Sequence, residues 1–225
     1  NTEDAFTLYS ETFSPVTGDA TLEFAHVEPA TAVIEKYPSA ALTADSQTID
    51  GEIIDGVTYR VTSSSNDFTN NGYQNFKAYD QDTSAGWHAS SIFDSSSSNY
   101  NGSASLGPVM GEWNKLKMST PAVITSVKIV GRSGKDAQAA ASWEILASND
   151  DSTWVSLYAS TNAMTYNSGE GWTESFENTI AYSCYAVIVK SVKGPSTPYL
   201  TIFEISYFGP QTQDMVAWIS DVKVN

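Results

Sequence analysis

The stretch "SWEILASNDDSTWVSLY", residues 142–158, decides the fold class, because it reads as a strand, a tight turn and a returning strand. Trp143, Ile145 and Ala147 fall on one face by alternation, the period of two that a half-buried strand requires. Asn149, Asp150 and Asp151 tolerate a left-handed backbone and hydrogen-bond their own chain, which suits a hairpin turn, and Trp154 is expected to return the chain to the core. Helical periodicity is nearly absent elsewhere in the 225 residues. Short runs of Val, Ile, Thr, Tyr and Phe recur instead, and strands are expected at 21–27, 57–64, 112–118, 122–131, 142–148, 154–158, 173–177, 184–192 and 200–208. The chain is therefore all-β, an antiparallel sandwich or barrel.

Apolar residues make up 41%, aromatics 12% and charged residues only 16%, so Ser, Thr, Asn, Gln and Gly must solvate much of the surface. That profile suits a protein of the extracellular space or of a virion or cell surface. The net charge of −15 repels phosphate backbones and anionic bilayers, so neither nucleic acid nor membrane insertion is expected. Residues 1–60 carry 11 acids against Lys36 and Arg60. The lone Cys184, in "YSCYAVIVK", reads as a buried strand thiol. The opening "NTEDAF" has no basic, then apolar, leader pattern, as for a chain beginning after a cleaved signal or forming a piece of a longer polypeptide.

Three segments read as loops: "SSSSNYNGSASLG" (95–107), "SGKDAQAAAS" after Arg132, and "TNAMTYNSGEGWT" before Glu174. In a sandwich, loops gather at the two ends and carry recognition. Neither a nucleophile elbow, a zinc-protease helix, a phosphate loop nor a Cys–His pair stands out, and Asp150–Asp151 belongs to the turn, so catalysis is not expected.

Taken in order, "FKAYDQDTSAGWHAS", "YNG", "GEWNKLKMSTPAVITSVKIVGRSG", "SWEILASNDDSTWVSLY", "YAVIVKSV" and "YLTIFEISYFG" together resemble the discoidin, or coagulation-factor C-type, domain. The resemblance covers residues 57–209 and implies a galactose-binding-like jelly roll of eight strands, the class that includes many bacterial carbohydrate-binding modules. It departs from many relatives in lacking a cysteine pair that staples the ends. It leaves residues 1–56 as an N-terminal β extension or linker, and 210–225 as a C-terminal β strand that could pair with it.

Asp80 and Asp82 are spaced as acids must be on a loop that curls around calcium, which takes six to eight hard oxygens. The resemblance adds Glu204 from the last strand and, in place of the family's Thr, the carbonyl of Ala85. Glu204 supports this independently, because it stands among apolar neighbours where an unpaired charge is costly. The alternative is that Asp80 caps a turn while Glu204 pairs with a lysine or with backbone amides.

Sugars are held by aromatic faces together with planar, charged donors. Arg132 stands where the family often presents an arginine, and Trp172, Tyr100, Tyr166 and Tyr199 lie in or beside turns. His88 is a further candidate contact, whereas Trp87 is expected in the core. The expectation is an extracellular or particle-surface carbohydrate-binding module for adhesion, with a structural calcium and glycans as partners. The alternative is an assembly subunit of a virion or surface filament. "GDATLEFAHVEP" and "DMVAWISDVKVN" alternate like strands and could pair with each other or with other copies, and the lead-in "YPSAALTADSQTIDGEIIDGVTYRVTSSS" resembles linkers in structural proteins of large viruses and phages.

Overall fold

The computed structural model describes residues 34–43, 51–90, 92–165, 171–194 and 199–210. Two antiparallel sheets face each other. The first runs β1 (Ile34–Tyr37), β13 (Thr201–Pro210), β8 (Ser126–Gly131), β11 (Trp172–Ser175), with β4 (Trp87–His88) paired to the start of β13. The second runs β10 (Val155–Ser160), β9 (Ala140–Ser148), β12 (Tyr182–Val192), β7 (Glu112–Ala122), β3 (Val57–Ser63), β2 (Glu52–Ile54), and a small hairpin joins β5 (Ser105–Leu106) to β6 (Val109–Met110). This is the expected antiparallel sandwich. The strands expected from 57 to 208 are present, while those at 21–27 and in 210–225 lie outside the described residues.

Inward positions alternate along each strand and meet in one core: Tyr59 and Val61 from β3, Leu116 and Met118 from β7, Trp143 and Ile145 from β9, Tyr185 and Val187 from β12, Ile205 and Tyr207 from β13. Each is nearly free of solvent. Tyr185 shows how the core accommodates a polar atom. Its hydroxyl donates to the Ala122 carbonyl at 2.6 Å and accepts the Ile124 N–H at 3.2 Å, satisfying backbone groups where β7 leaves the sheet.

The structure corrects four expectations. Strands β1 and β2 precede residue 57 yet belong to the two sheets, β1 through β13 and β2 through β3. Trp154 does not return to the main core. It packs with Leu106, Leu146, Ala186 and Ile188 on the opposite face of the six-stranded sheet, because Ala186 and Ile188 alternate with the core-facing Tyr185 and Val187. The stretch 95–107, read as a loop, is organised and includes a strand: the Asp94 carboxylate accepts the N–H groups of Ser96 and Ser97 at 2.9 and 2.7 Å, Tyr100 bridges to a buried Phe93, and β5 follows. The stretch after Arg132 holds a 3₁₀ turn at Asp136–Gln138 and then buries Ala139 and Ala140. The hairpin turn itself is as expected, with Asp151 at φ 60° and the Asp150 carboxylate accepting the N–H groups of Ser152 and Thr153.

Gly86 seats the acidic loop on the first sheet. A Cβ there would overlap the Phe203 Cα and the Ile202 carbonyl, so only a glycine lets the loop lie directly on β13. Gly86→Ala is expected to cost on the order of 1–3 kcal/mol, read as a lower midpoint in urea denaturation with an unchanged slope.

Candidate functional site

One end of the sandwich gathers the chain where β3, β8 and β12 stop and where β4, β7 and β13 begin. An aromatic cluster forms there. Phe68 stands at φ 56° and ψ 30°, in the left-handed region that a bulky residue rarely enters. Its N–H donates to the Asp67 carboxylate at 2.8 Å, its carbonyl accepts the Asn71 N–H at 2.8 Å, and the Asp67 N–H ties the loop to the His88 carbonyl. The result is an aromatic ring left 39% exposed. Strain of this kind points to use.

His88 lies beneath Phe68, with ring centroids 4.7 Å apart, and is flanked by Tyr199 at 5.1 Å and Tyr73 at 5.7 Å. It is only 3% exposed. Nδ1 stands 3.0 Å from the Ala89 carbonyl, so Nδ1 carries the proton and Nε2 is the acceptor. Burial pushes the ring's pKa below its ordinary value, which keeps it neutral at pH 7. Tyr73 continues the cluster to Phe203, at 6.1 Å, and the Arg132 guanidinium lies over the Tyr73 ring at 5.5 Å. Among the described residues Arg132 has no carboxylate partner, so its donors are free for a ligand.

Of the six expected ligand contacts the structure brings three together: His88, Arg132 and Tyr199. Trp172 and Tyr100 are engaged elsewhere. Trp172 donates its indole N–H to Glu174 at 2.6 Å on β11, and the Tyr100 ring packs on Phe93 while its hydroxyl accepts the Ala104 N–H at 2.9 Å. Tyr166 lies outside the described residues. The sequence reading passed over Phe68, Tyr73 and Phe203. The signal was there in "FTNNGY", two aromatics framing an Asn-Asn-Gly turn.

The acidic loop lies alongside. The Glu204 carboxylate, 5% exposed, accepts the Gln81 N–H at 3.0 Å and the Ser206 hydroxyl at 2.9 Å, and Lys36 of β1 stands 3.5 Å away. Burial pushes its pKa up to about 7 against the pull of Lys36, and the Asp80 charge adds to the rise. Asp80, also half-buried, is pushed up to about 6, mainly by burial and then by Asp82. Asp82 turns outward, where the Ser84 N–H and hydroxyl hold it below the usual carboxylate range. Among the described residues no three His, Cys, Asp or Glu side chains gather closely enough to hold a metal by side chains alone. The donor chemistry fits calcium in part: Asp80 and Glu204 offer hard oxygens, Ala85 has a carbonyl to offer, and Asp82 faces Ser84.

The F5/8 type C domain family model matches residues 60–205. No curated protein matches the chain. Among solved structures, a family 32 carbohydrate-binding module of C. perfringens NanJ, in complex with galactose, superposes with a TM-score of 0.50 at 14% identity, over 67% of this chain and 93% of that one. Another from Clostridium perfringens, in complex with GalNAc-β-1,3-galactose, gives 0.51 at 16% identity, over 67% and 95%. At such identity the likeness concerns the fold alone, an antiparallel β-sandwich shared with those modules.

Because Glu204 holds its proton more tightly folded than unfolded (about 4.3), the folded state binds more protons between that value and about 7, so its contribution to stability falls as pH rises through this window. In chelator-treated protein, Glu204→Gln is expected to flatten this slope, gaining stability relative to wild type at about pH 8 compared with about pH 5, as measured by urea midpoints.

Proposed function

We propose that this chain, which belongs to the F5/8 type C domain family, binds carbohydrate at the loop end of its sandwich, as a recognition module and not as a catalyst. The observation that carries this reading is Phe68: a strained, solvent-facing ring braced from below by a neutral histidine, with a guanidinium on the same cluster that has no carboxylate partner among the described residues. A pyranose stacks its C–H face on such a ring, and Arg132 supplies planar donors to its hydroxyls. His88 and Tyr199 brace the platform. The neighbours in complex with galactose and with GalNAc-β-1,3-galactose make galactose-type sugars the first to try. A surface solvated by neutral polar residues suits an extracellular or particle-surface setting, with adhesion as the service performed.

The reading extends to calcium. Asp80 and Glu204, with backbone carbonyls of the loop that include Ala85, would hold the ion, whose charge would offset the burial that raises both carboxyls' pKa. Lys36 then competes with it for Glu204.

Two measurements test these readings. In calorimetry against galactose, N-acetylgalactosamine and their oligosaccharides, Phe68→Ala and Arg132→Ala are each expected to weaken binding about tenfold or more, ~1.4 kcal/mol; absence of binding by the wild type to a broad glycan panel at millimolar concentration overturns the reading. Calcium at a hundredfold excess over its Kd is expected to add about 2.7 kcal/mol of stability, seen as a rise in Tm that Asp80→Asn abolishes and Lys36→Met enlarges. No rise at millimolar calcium removes the ion from the account.

A further inference from the structure

Arg60 of β3 and Lys117 of β7 stand directly opposite each other across the ladder, and Thr62 opposite Lys115. All four face away from the core, because the alternate residues Tyr59, Val61, Leu116 and Met118 fill it. With Asp151 of the hairpin turn they line a shallow cleft of about 150 Å³ on the six-stranded sheet. Three cations thus meet one carboxylate, in a chain with only 11 basic residues and a net charge of −15. Like charges directly opposite on adjacent strands destabilise a sheet.

The cleft is built, not a chance gathering of loose side chains. The Lys115 side chain is 12% exposed, pairs with Asp151 at 2.6 Å, and lies over the rings of Trp113 and Trp154 at 5.4 and 5.8 Å. Asp151 is shared, standing 4.0 Å from Lys117, and is fixed by its left-handed turn. Arg60 is exposed and has no acidic partner among the described residues. The Thr62 hydroxyl, in the wall, has no hydrogen-bond partner there either. Among the described residues positive charge is left over on Arg60 and Lys117, beside a Lys115 that is held in place.

We propose that this cleft is a second binding site, on the sheet face and apart from the loop end, for the anionic group of an acidic polysaccharide, a carboxylate or a sulfate on a sugar ring. Arg60 takes the anion in its planar fork, Lys117 adds a point charge from across the ladder, and Lys115, anchored between the tryptophans and Asp151, fixes the floor. The chain's overall negative charge selects against long, dense polyanions, so the occupant is a sugar with separated charges.

The test uses the full chain and four sets of probes: oligogalacturonates, sulfated galactan oligomers, neutral galactan oligomers of equal length, and tripolyphosphate. Binding of at least one acidic set that weakens with added salt, and falls about tenfold or more in Arg60→Ala and Lys117→Ala but not in the charge-matched control Lys135→Ala, supports the site. Arg60→Glu is expected to abolish that binding while raising Tm, since it turns a like-charge pair into an attractive one. No acidic oligosaccharide binding, binding indifferent to Arg60 and Lys117, or equal binding of tripolyphosphate overturns the proposal. The neutral oligomers report on the loop end alone, so failure there is distinguishable from failure here.

Discussion

Everything at the loop end depends on the two edges of β13. Along one edge β8 pairs from Ile202 to Phe208, broken by an irregularity between Ile202 and Glu204. Along the other, β4 pairs only at Thr201 and Ile202, and β1 only from Tyr207 onward. Between them the strand's edge is covered by a loop instead of a strand. Gly86 makes that covering close, the Gln81 N–H reaches into it, and Glu204 answers from within. Backbone polar groups cannot be left bare in a packed interior. The same short gap therefore accounts for the close-lying loop, the buried acid and the placing of His88 on a strand of two residues.

The chain's low share of charged residues acquires a structural meaning from its buried acids. Glu112, whose pKa burial raises, accepts the Ser65 hydroxyl; Glu144 accepts from Ser156 at 2.8 Å and Lys190 at 2.7 Å; Glu204 accepts from Ser206 and a backbone amide. Each is answered by hydroxyls, amides or a lysine, and charge-assisted bonds of this kind repay part of the desolvation cost. The serines that read as surface filler are partly interior partners. At Asp94 and Asp150 they and their neighbours' amides do the same for exposed turns, holding both carboxylates well below the usual range.

The sandwich consequently offers two chemically different surfaces. The loop end is aromatic, with a guanidinium that has no carboxylate partner among the described residues. The outer face of the six-stranded sheet carries a small second core capped by Trp154, beside a cluster of cations. Both arise from the alternation of β7: Leu116 and Met118 inward, Trp113, Lys115 and Lys117 outward.

Much of this was legible in the residues alone. Alternation in "SWEILAS" and "VTYRVTS" fixes which side chains face inward, the Asn-Asp-Asp run fixes a turn, and a glutamate amid apolar neighbours announces a buried charge in need of a partner. These are local or one-body properties. What needed the tertiary structure was each pairing across long sequence distances: Lys36 with Glu204, Phe68 on His88, Arg132 on Tyr73, Arg60 opposite Lys117. Period-two patterning tells which face a residue takes, yet it is blind to which strand lies alongside. Register and strand order therefore decided which aromatic rings became a platform, which became core, and where the few positive charges met.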